Sequence, residues 1–143
     1  MFIGEYKHSV DKKGRMAVPS KHRAKLKKGA VVTKGLDNCL VLYPQAEWKE
    51  LAEKLAALPI TESNTRAFSR LMLAGAIEVE FDKQGRILLP EYLREYCSMD
   101  KKAVIVGLYN RIEIWAESKW EDYRKRTEAA SNEIAEQLTE LGV

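Results

Sequence analysis

The sequence predicts an α+β fold with a mainly β core, built from two copies of one unit. First, Asp11-Lys12-Lys13-Gly14-Arg15 returns 71 residues later as Asp82-Lys83-Gln84-Gly85-Arg86. Second, three apolar residues and a proline follow each copy, ending at Pro19 and at Pro90. Third, residues 2–10 alternate polar and apolar side chains, which is typical of a half-buried strand. Because self-similarity identifies the folding unit, the chain is a tandem duplication.

The duplication also predicts the domain organisation. After one inserted residue the repeat continues at a spacing of 72, so that Trp48 matches Trp120. A half of this size buries too little surface to be stable alone, and we therefore expect the halves to share a core. The first repeat with its connector helices spans residues 1–73, and the second repeat with a C-terminal helix spans residues 74–143.

The first copy begins with a predicted β-hairpin. Residues 2–10 form one strand, and residues 15–18 form the returning strand. Asp11 can bond backbone groups ahead of it, and Gly14 accepts the positive φ that a tight turn requires. Pro19 ends the second strand and suits the first turn of a short helix.

Two further strands and two helices complete the first copy. The strands are residues 30–33 and 39–43, and they are joined by a turn. Pro44 opens a helix whose apolar residues recur at helical spacing, and Pro59 ends that helix. Thr61 is expected to cap a second helix, which connects the two repeats.

The second copy follows the same plan and ends in a long tail. Its predicted strands are residues 76–81, 87–89, 103–107 and 111–115. Its predicted short helix is residues 91–96. Residues 117–141 are predicted to form one helix with a single apolar stripe. The stripe can pack on the core of its own chain or against another subunit, and both interpretations stay open.

Charge is distributed unevenly along the chain. Residues 1–35 carry ten Lys or Arg and two acids, a net charge of +8, whereas the remainder has a net charge of −5. A basic segment on an otherwise acidic protein is expected of a surface that binds a polyanion, and an ordinary solvated surface is the alternative. With no secretory signal and no apolar run long enough for a membrane, a cytoplasmic location is expected.

Few residues of the sequence are suited to enzymatic catalysis. His8 and His22 are the only histidines, and no nucleophile, nucleotide-binding or zinc-protease motif is present. We therefore predict no catalytic residues, no metal site and no cofactor. Cys39 and Cys97 are interpreted as buried thiols. His22 is assigned either a phosphate contact or a place on the helix surface.

Nucleic-acid binding explains the repeated motif better than enzymatic catalysis does. Arg15 and Arg86 stand just past a turn, where a two-stranded ribbon can carry a guanidinium into the major groove or onto phosphate. Their aspartates are predicted to pair with them and structure the turns. The predicted DNA-binding residues are Lys12, Lys13, Arg15, Lys21, Arg23, Lys83 and Arg86. The predicted turn-structuring residues are Asp11, Gly14, Asp82 and Gly85. The aromatic residues lie on apolar stripes, which favours duplex DNA over single strands.

The two Asp-x-x-x-Arg motifs, each followed by an apolar triplet and proline, resemble the MraZ family, and the resemblance extends from residue 2 to residue 120. It implies an AbrB-like swapped-hairpin β-barrel with flanking helices and both halves on one chain. It also implies a bacterial transcriptional regulator that binds short direct repeats upstream of the division and cell-wall gene cluster, including its own gene. A ring-shaped homo-oligomer and association with the nucleoid are further implications.

The two motifs are expected to contribute unequally. Gln84 replaces Lys13 in the second motif, and residues 74–107 hold five basic and six acidic residues. We predict that the first motif supplies most of the DNA affinity and that the second serves mainly in subunit contact. Two rival functions are an RNA-binding regulator and an antitoxin-like scaffold that binds an acidic protein.

Overall fold

The computed structural model describes residues 1–143 and confirms the α+β class with a mainly antiparallel β core. The strands are β1 (Glu5–Ser9), β2 (Arg15–Ala17), β3 (Ala30–Lys34), β4 (Leu40–Pro44), β5 (Ile77–Val79), β6 (Arg86–Leu88), β7 (Lys102–Gly107) and β8 (Ile112–Ala116). The α-helices are α1 (Ser20–Leu26), α2 (Gln45–Ala56), α3 (Ser63–Ser69), α4 (Glu91–Tyr96), α5 (Glu117–Ala129) and α6 (Ser131–Gln137). A π-helical turn at Arg70–Ala74 follows α3, and short 3₁₀ turns occupy Leu36–Asn38 and Thr139–Leu141.

The strands form one large sheet and one separate ribbon. The sheet has six strands in the order β1-β7-β8-β4-β3-β5, and the ribbon pairs β2 with β6. The first strand of each repeat leaves its own unit: β1 is antiparallel to β7, and β5 is antiparallel to β3. The ribbon likewise takes one strand from each repeat. The duplicated fold is therefore interlocked, with strands exchanged within one chain.

The hairpin predicted from residues 2–10 and 15–18 is wrong in its pairing. At the turn, Asp11 N–H donates to the Arg15 carbonyl, and Val10 and Met16 form an isolated bridge. Beyond that point the two strands separate, and Tyr6 lies opposite Ile105 of β7. Alternation of polar and apolar residues predicts a strand but not the strand with which it pairs. Because the two repeats are similar, each strand has two similar possible partners. The division into residues 1–73 and 74–143 remains a prediction.

A single core lies between the ribbon and the inner face of the sheet. Eighteen buried residues from both repeats form it. From the ribbon, Met16 and Ile87 point inward and are completely buried. Alternate residues of the sheet strands, such as Leu42 and Ile105, face them. This cluster is the shared core expected from the length of the repeats.

Two helical groups cover the outer face of the sheet. Leu55 of α2 and Met72 join Val41 and Tyr43 in one cluster over β4. Over β7 and β8, Trp120 and Tyr123 of α5 pack around Trp115. The ribbon and the α2, α3 and α5 helices therefore lie on opposite faces of the sheet.

Two helix predictions differ from the structure. The long tail helix is broken at Ala130, whose φ of −105° and ψ of 15° are not helical. No core lies beneath the tail beyond this break, so packing does not hold it in a single helix. Thr61 caps nothing, because α3 begins at Ser63, while the hydroxyl of Thr65 donates to carbonyls of the preceding loop.

Candidate nucleic-acid interface

The turn of the first repeat is organised by the carboxylate of Asp11. Asp11 Oδ1 accepts backbone N–H bonds from Lys13 at 3.0 Å and from Arg15 at 2.8 Å. Asp11 Oδ2 accepts from Arg15 Nε at 2.8 Å. One carboxylate thus closes the turn and aligns the guanidinium, because short charge-assisted bonds restrict both partners. Asp11 and Arg15 thus form an ion pair within the turn.

The turn of the second repeat reproduces this arrangement. Asp82 Oδ1 accepts from the backbone N–H groups of Gln84 and Arg86, both at 2.9 Å. Asp82 Oδ2 accepts from Arg86 Nε at 2.9 Å. The motif therefore has the same local geometry twice, although a glutamine occupies the position of Lys13.

The ribbon brings the two arginines onto one surface. Arg15 is opposite Leu88, and Ala17 is opposite Arg86. Since Met16 and Ile87 point into the core, the residues on either side of them point outward. The arginine side chains retain 37% and 27% of their accessible surface, enough to reach a ligand. The ribbon surface therefore presents two oriented guanidiniums, one from each repeat.

Each turn is held by an arginine of the other repeat. Gly14 has a φ of 89°, and a Cβ added there would lie 2.6 Å from Arg94 Nε. Arg94 Nε itself donates to the Leu89 carbonyl at 2.9 Å. Arg23 packs on Gly85 in the same way and donates its Nε to the Val18 carbonyl at 2.9 Å. These contacts lock the two turns together across the ribbon.

Arg94 belongs to this site, although the sequence did not single it out. Its position in the repeat, equivalent to that of Arg23, was the available signal. Both side chains have a structural partner through Nε, while the terminal nitrogens of Arg23 make no hydrogen bond within the chain. A DNA contact by Arg23 remains a prediction.

The site carboxylates stay ionised over the whole physiological range. The backbone N–H of Arg15, helped by its guanidinium and by the N–H of Lys13, lowers the pKa of Asp11 to about 2. The same kinds of bond from Arg86 and Gln84 lower the pKa of Asp82. Each arginine bonds its aspartate through Nε, and terminal N–H donors remain for a ligand.

The predicted lysines lie around these arginines as exposed residues. Lys12 and Lys13 are at the first turn and Lys83 is at the second. Lys21 is on α1, with its Nζ 4.6 Å from the centre of the Tyr6 ring. Exposed ammonium groups of this kind suit phosphate contacts that do not depend on base sequence. Their role in binding remains a prediction.

Both roles proposed for His22 are wrong. Its residue surface is 3% exposed, so it reaches neither a phosphate nor the solvent-facing side of α1. The imidazole contacts the rings of Phe2 and Tyr6 edge-on, with centroid distances of 5.2 and 5.5 Å. Its Nε2 is buried without a hydrogen-bond partner. Burial, followed by the charge of Lys21, lowers the pKa of His22.

Both cysteines belong to buried clusters. Cys39 and Cys97 are free and buried, as predicted, and burial raises the pKa of Cys97 to about 11. No group of three His, Cys, Asp or Glu side chains is arranged to hold a metal ion. The helices are all too short or too polar to cross a bilayer.

Two interlocked repeats that share one core, exchange strands and each carry an Asp-x-x-x-Arg turn beside the ribbon define a tandem duplicated α+β fold. The family model for the MraZ protein matches the chain twice, over residues 1–71 and 72–141. The chain therefore belongs to the MraZ family, and the resemblance seen in the sequence is confirmed.

Full-length relatives agree with this assignment. A Natranaerobius thermophilus protein is 50% identical over 143 residues, covering all of both chains. A Desulfitobacterium hafniense protein is 52% identical with the same coverage. A Carboxydothermus hydrogenoformans protein is 51% identical over 141 residues, or 99% of each chain. All three are named transcriptional regulator MraZ.

Proposed function

We propose that this protein is a transcriptional regulator that binds double-stranded DNA sequence-specifically through the β2–β6 ribbon and its two turns. The observation that carries the proposal is the pair of aspartate-oriented guanidiniums, Arg15 and Arg86, on one outward ribbon surface. A preoriented guanidinium loses little conformational freedom on binding, and its planar donors match guanine O6 and N7.

The surroundings of the ribbon favour a duplex over a single strand. A two-stranded ribbon fits the major groove of B-DNA, and lysines beside it can contact the phosphates on either side. The outward ribbon positions other than the arginines are Ala17 and Leu88, so no aromatic side chain is available there for base stacking. Arginines therefore read bases while Lys12, Lys13 and Lys83 hold the backbone.

The regulatory role is supported by the relatives, each of which is named a transcriptional regulator. From the family resemblance we further propose that the target is a set of short direct repeats upstream of the division and cell-wall gene cluster that includes its own gene. The acting form is a ring-shaped homo-oligomer in the cytoplasm, associated with the nucleoid. Several weak ribbon contacts on consecutive repeats would gain avidity through their connection.

The test is a fluorescence-anisotropy titration with the duplex upstream of the protein's own start codon and with a scrambled duplex. Wild type should prefer the native duplex, and Arg15→Ala should lose about 10- to 100-fold in affinity, the value of a good bidentate base contact. Arg126→Ala is the matched control, because this exposed arginine lies on α5, across the sheet from the ribbon. Titration at two salt concentrations counts the phosphate contacts from the slope.

Other outcomes point to the rival functions. Equal affinity for native and scrambled duplexes, or no binding to either, would overturn sequence-specific DNA recognition. Comparable affinity for a structured RNA of the same length would favour the RNA-binding regulator. Binding to an acidic protein partner that Arg15→Ala abolishes, with no DNA binding, would favour the antitoxin-like scaffold.

A further inference from the structure

The C-terminal tail, residues 131–141, has an apolar side with nothing packed against it. It consists of α6 and the 3₁₀ turn Thr139–Leu141, and none of its residues is buried. Ile134 is 43% exposed and Leu141 is 74% exposed, although Leu138 between them is half-buried. Ile134 and Leu138 are four positions apart and share one side of α6 and its C-terminal end, and Leu141 follows in the 3₁₀ turn. The tail therefore presents an apolar row to solvent.

The equivalent segment of the first repeat is packed. At the repeat spacing of 72, the tail corresponds to residues 59–69, which include α3. Phe68 of α3 packs against the buried cluster formed by Tyr43, Leu55 and Met72. In the second repeat the corresponding segment contacts little beyond α5, from which it continues. The segment is therefore packed against the core in the first repeat and is uncovered in the second repeat.

A partly apolar groove lies between α2 and α3. It encloses about 300 Å³, and its floor includes the buried Leu55. Ile60 is 79% exposed and Leu73 is 37% exposed along its walls. Arg66 and Arg70 also line it, and Arg70 is exposed with no ion pair. The groove therefore combines uncovered apolar surface with unneutralised positive charge.

The tail carries the opposite charge. Its acids are Glu133, Glu136 and Glu140, all of them exposed, and it has no basic residue. By contrast, the groove is lined by two basic side chains, Arg66 and Arg70, and by no acid. Exposed apolar patches rimmed by charge mark interaction sites, and complementary charges select the partner and its orientation.

We propose that the tail of one copy docks in the α2–α3 groove of a second copy. The tail extends α5, which lies over β7 and β8, whereas the groove belongs to the helices over β3 and β4. Each copy thus offers two different surfaces, and such head-to-tail contacts produce a ring when the rotation closes. The contact rests on the homo-oligomer of the proposed function and not on its DNA recognition, because it lies across the sheet from the ribbon.

Charge reversal on each surface tests the contact. Arg70→Glu places like charge against the acidic tail, and Glu136→Arg places like charge against the basic groove. Because facing like charges repel each other, each variant alone should raise the dissociation constant of the assembly at least about 10-fold. Light scattering measures this constant from the average molar mass at a series of protein concentrations. Lys49→Glu is the control: it makes the same change at an exposed lysine of α2 that does not line the groove, and it should assemble like wild type.

Mixing the two variants gives the decisive measurement. In the mixture, the Arg70→Glu copy has an acidic residue in its groove, and the Glu136→Arg copy has a basic residue in its tail. We expect this groove and this tail to bind each other. The remaining wild-type groove and wild-type tail also match, so the mixture should regain assembly. Ile60→Asp, which removes apolar surface from the groove wall, should weaken assembly and should not be rescued by mixing with Arg70→Glu. Anisotropy with a duplex holding one binding site should be unchanged in all variants.

Three results would overturn the proposal. A wild-type protein that stays monomeric at about 100 µM would remove both the oligomer and the contact. Assembly that is unaffected by Arg70→Glu and Glu136→Arg would place the contact elsewhere and leave the oligomer standing. Loss in both variants without recovery on mixing would show that the two surfaces do not face each other. The single-site duplex reports separately whether DNA binding itself fails.

Discussion

Arg86 Nη1 lies 3.7 Å from Asp11 Oδ2, although the two residues belong to different repeats. Arg86 also donates its Nε to its own aspartate, Asp82, at 2.9 Å. Its guanidinium therefore faces two carboxylates, whereas Arg15 forms an ion pair only with Asp11. The similar motifs of the two repeats thus hold arginines in unequal electrostatic surroundings.

This inequality predicts unequal losses of DNA affinity. The second carboxylate offsets part of the positive charge of Arg86. The guanidinium of Arg15 therefore attracts a phosphate or an electronegative base edge more strongly than that of Arg86. Arg15→Ala should weaken binding to the native duplex more than Arg86→Ala, by about 10-fold, since one base contact is worth about 1–3 kcal/mol. Anisotropy titrations of both variants decide the order, and equal losses would refute it.

Removing the Asp11 carboxylate should destabilise the fold in a pH-dependent way. Since the pKa of Asp11 falls from 3.8 to about 2 on folding, the charged form stabilises the native state. That contribution is complete above pH 3.8 and is lost as the pH falls towards 2. In urea unfolding, Asp11→Asn should be less stable than wild type at pH 6, and the difference should shrink at pH 2.5.

Asp100→Asn is the control for this measurement, because Asp100 is exposed and accepts no side-chain hydrogen bond. Its stability should follow wild type at both pH values. A difference between Asp11→Asn and wild type that stays constant between the two pH values would contradict the role given to the carboxylate.

The turn glycines should tolerate alanine to different degrees. At Gly14 the new Cβ would lie 2.6 Å from the Leu89 carbonyl oxygen, which the backbone holds in place. At Gly85 it would meet the guanidinium of Arg23, which can move aside. Gly142 has a φ of 79°, and no atom lies within 4 Å of the position of a Cβ added there. Its alanine variant therefore measures the free-energy cost of the left-handed backbone conformation without a steric clash.

The free energy of unfolding should therefore drop most for Gly14→Ala, less for Gly85→Ala, and about 1 kcal/mol or less for Gly142→Ala. Chemical denaturation of the three variants measures the order directly. A Gly14→Ala protein as stable as the Gly142→Ala protein would show that the turn can open without cost.

His22 should make the fold acid-sensitive. Its pKa is lowered by burial, so the unfolded chain binds a proton that the folded chain resists. Stability should fall as the pH decreases below the unfolded value of 6.5. His22→Leu copies Leu93, the fully buried equivalent in the second repeat, and should remove this loss. Thermal unfolding should show its advantage over wild type growing between pH 7.5 and pH 5.

The reciprocal change, Leu93→His, supplies the control for this experiment. It should introduce the same acid sensitivity into the second repeat, because a buried imidazolium would again lack an acceptor. Identical pH profiles for wild type and His22→Leu would assign the acid response to other groups, of which His8 is the first candidate, since burial lowers its pKa as well.

Sequence alone determined the duplication, the fold class and the chemistry of the turns. The repeated Asp-x-x-x-Arg is local: its hydrogen bonds join residues two and four positions apart, so their spacing is enough to predict them. Proline and glycine positions likewise fixed where strands end and turn, because these residues restrict or free φ by themselves.

Tertiary structure decided which strand pairs with which, and therefore where Arg15 and Arg86 meet. Two similar copies offer each strand two similar partners, and alternation cannot choose between them. Burial of His22 and the break at Ala130 were equally hidden, since both depend on what lies beneath a helix rather than on its own sequence. The exchange of strands is what joins two separate local motifs into one ribbon surface.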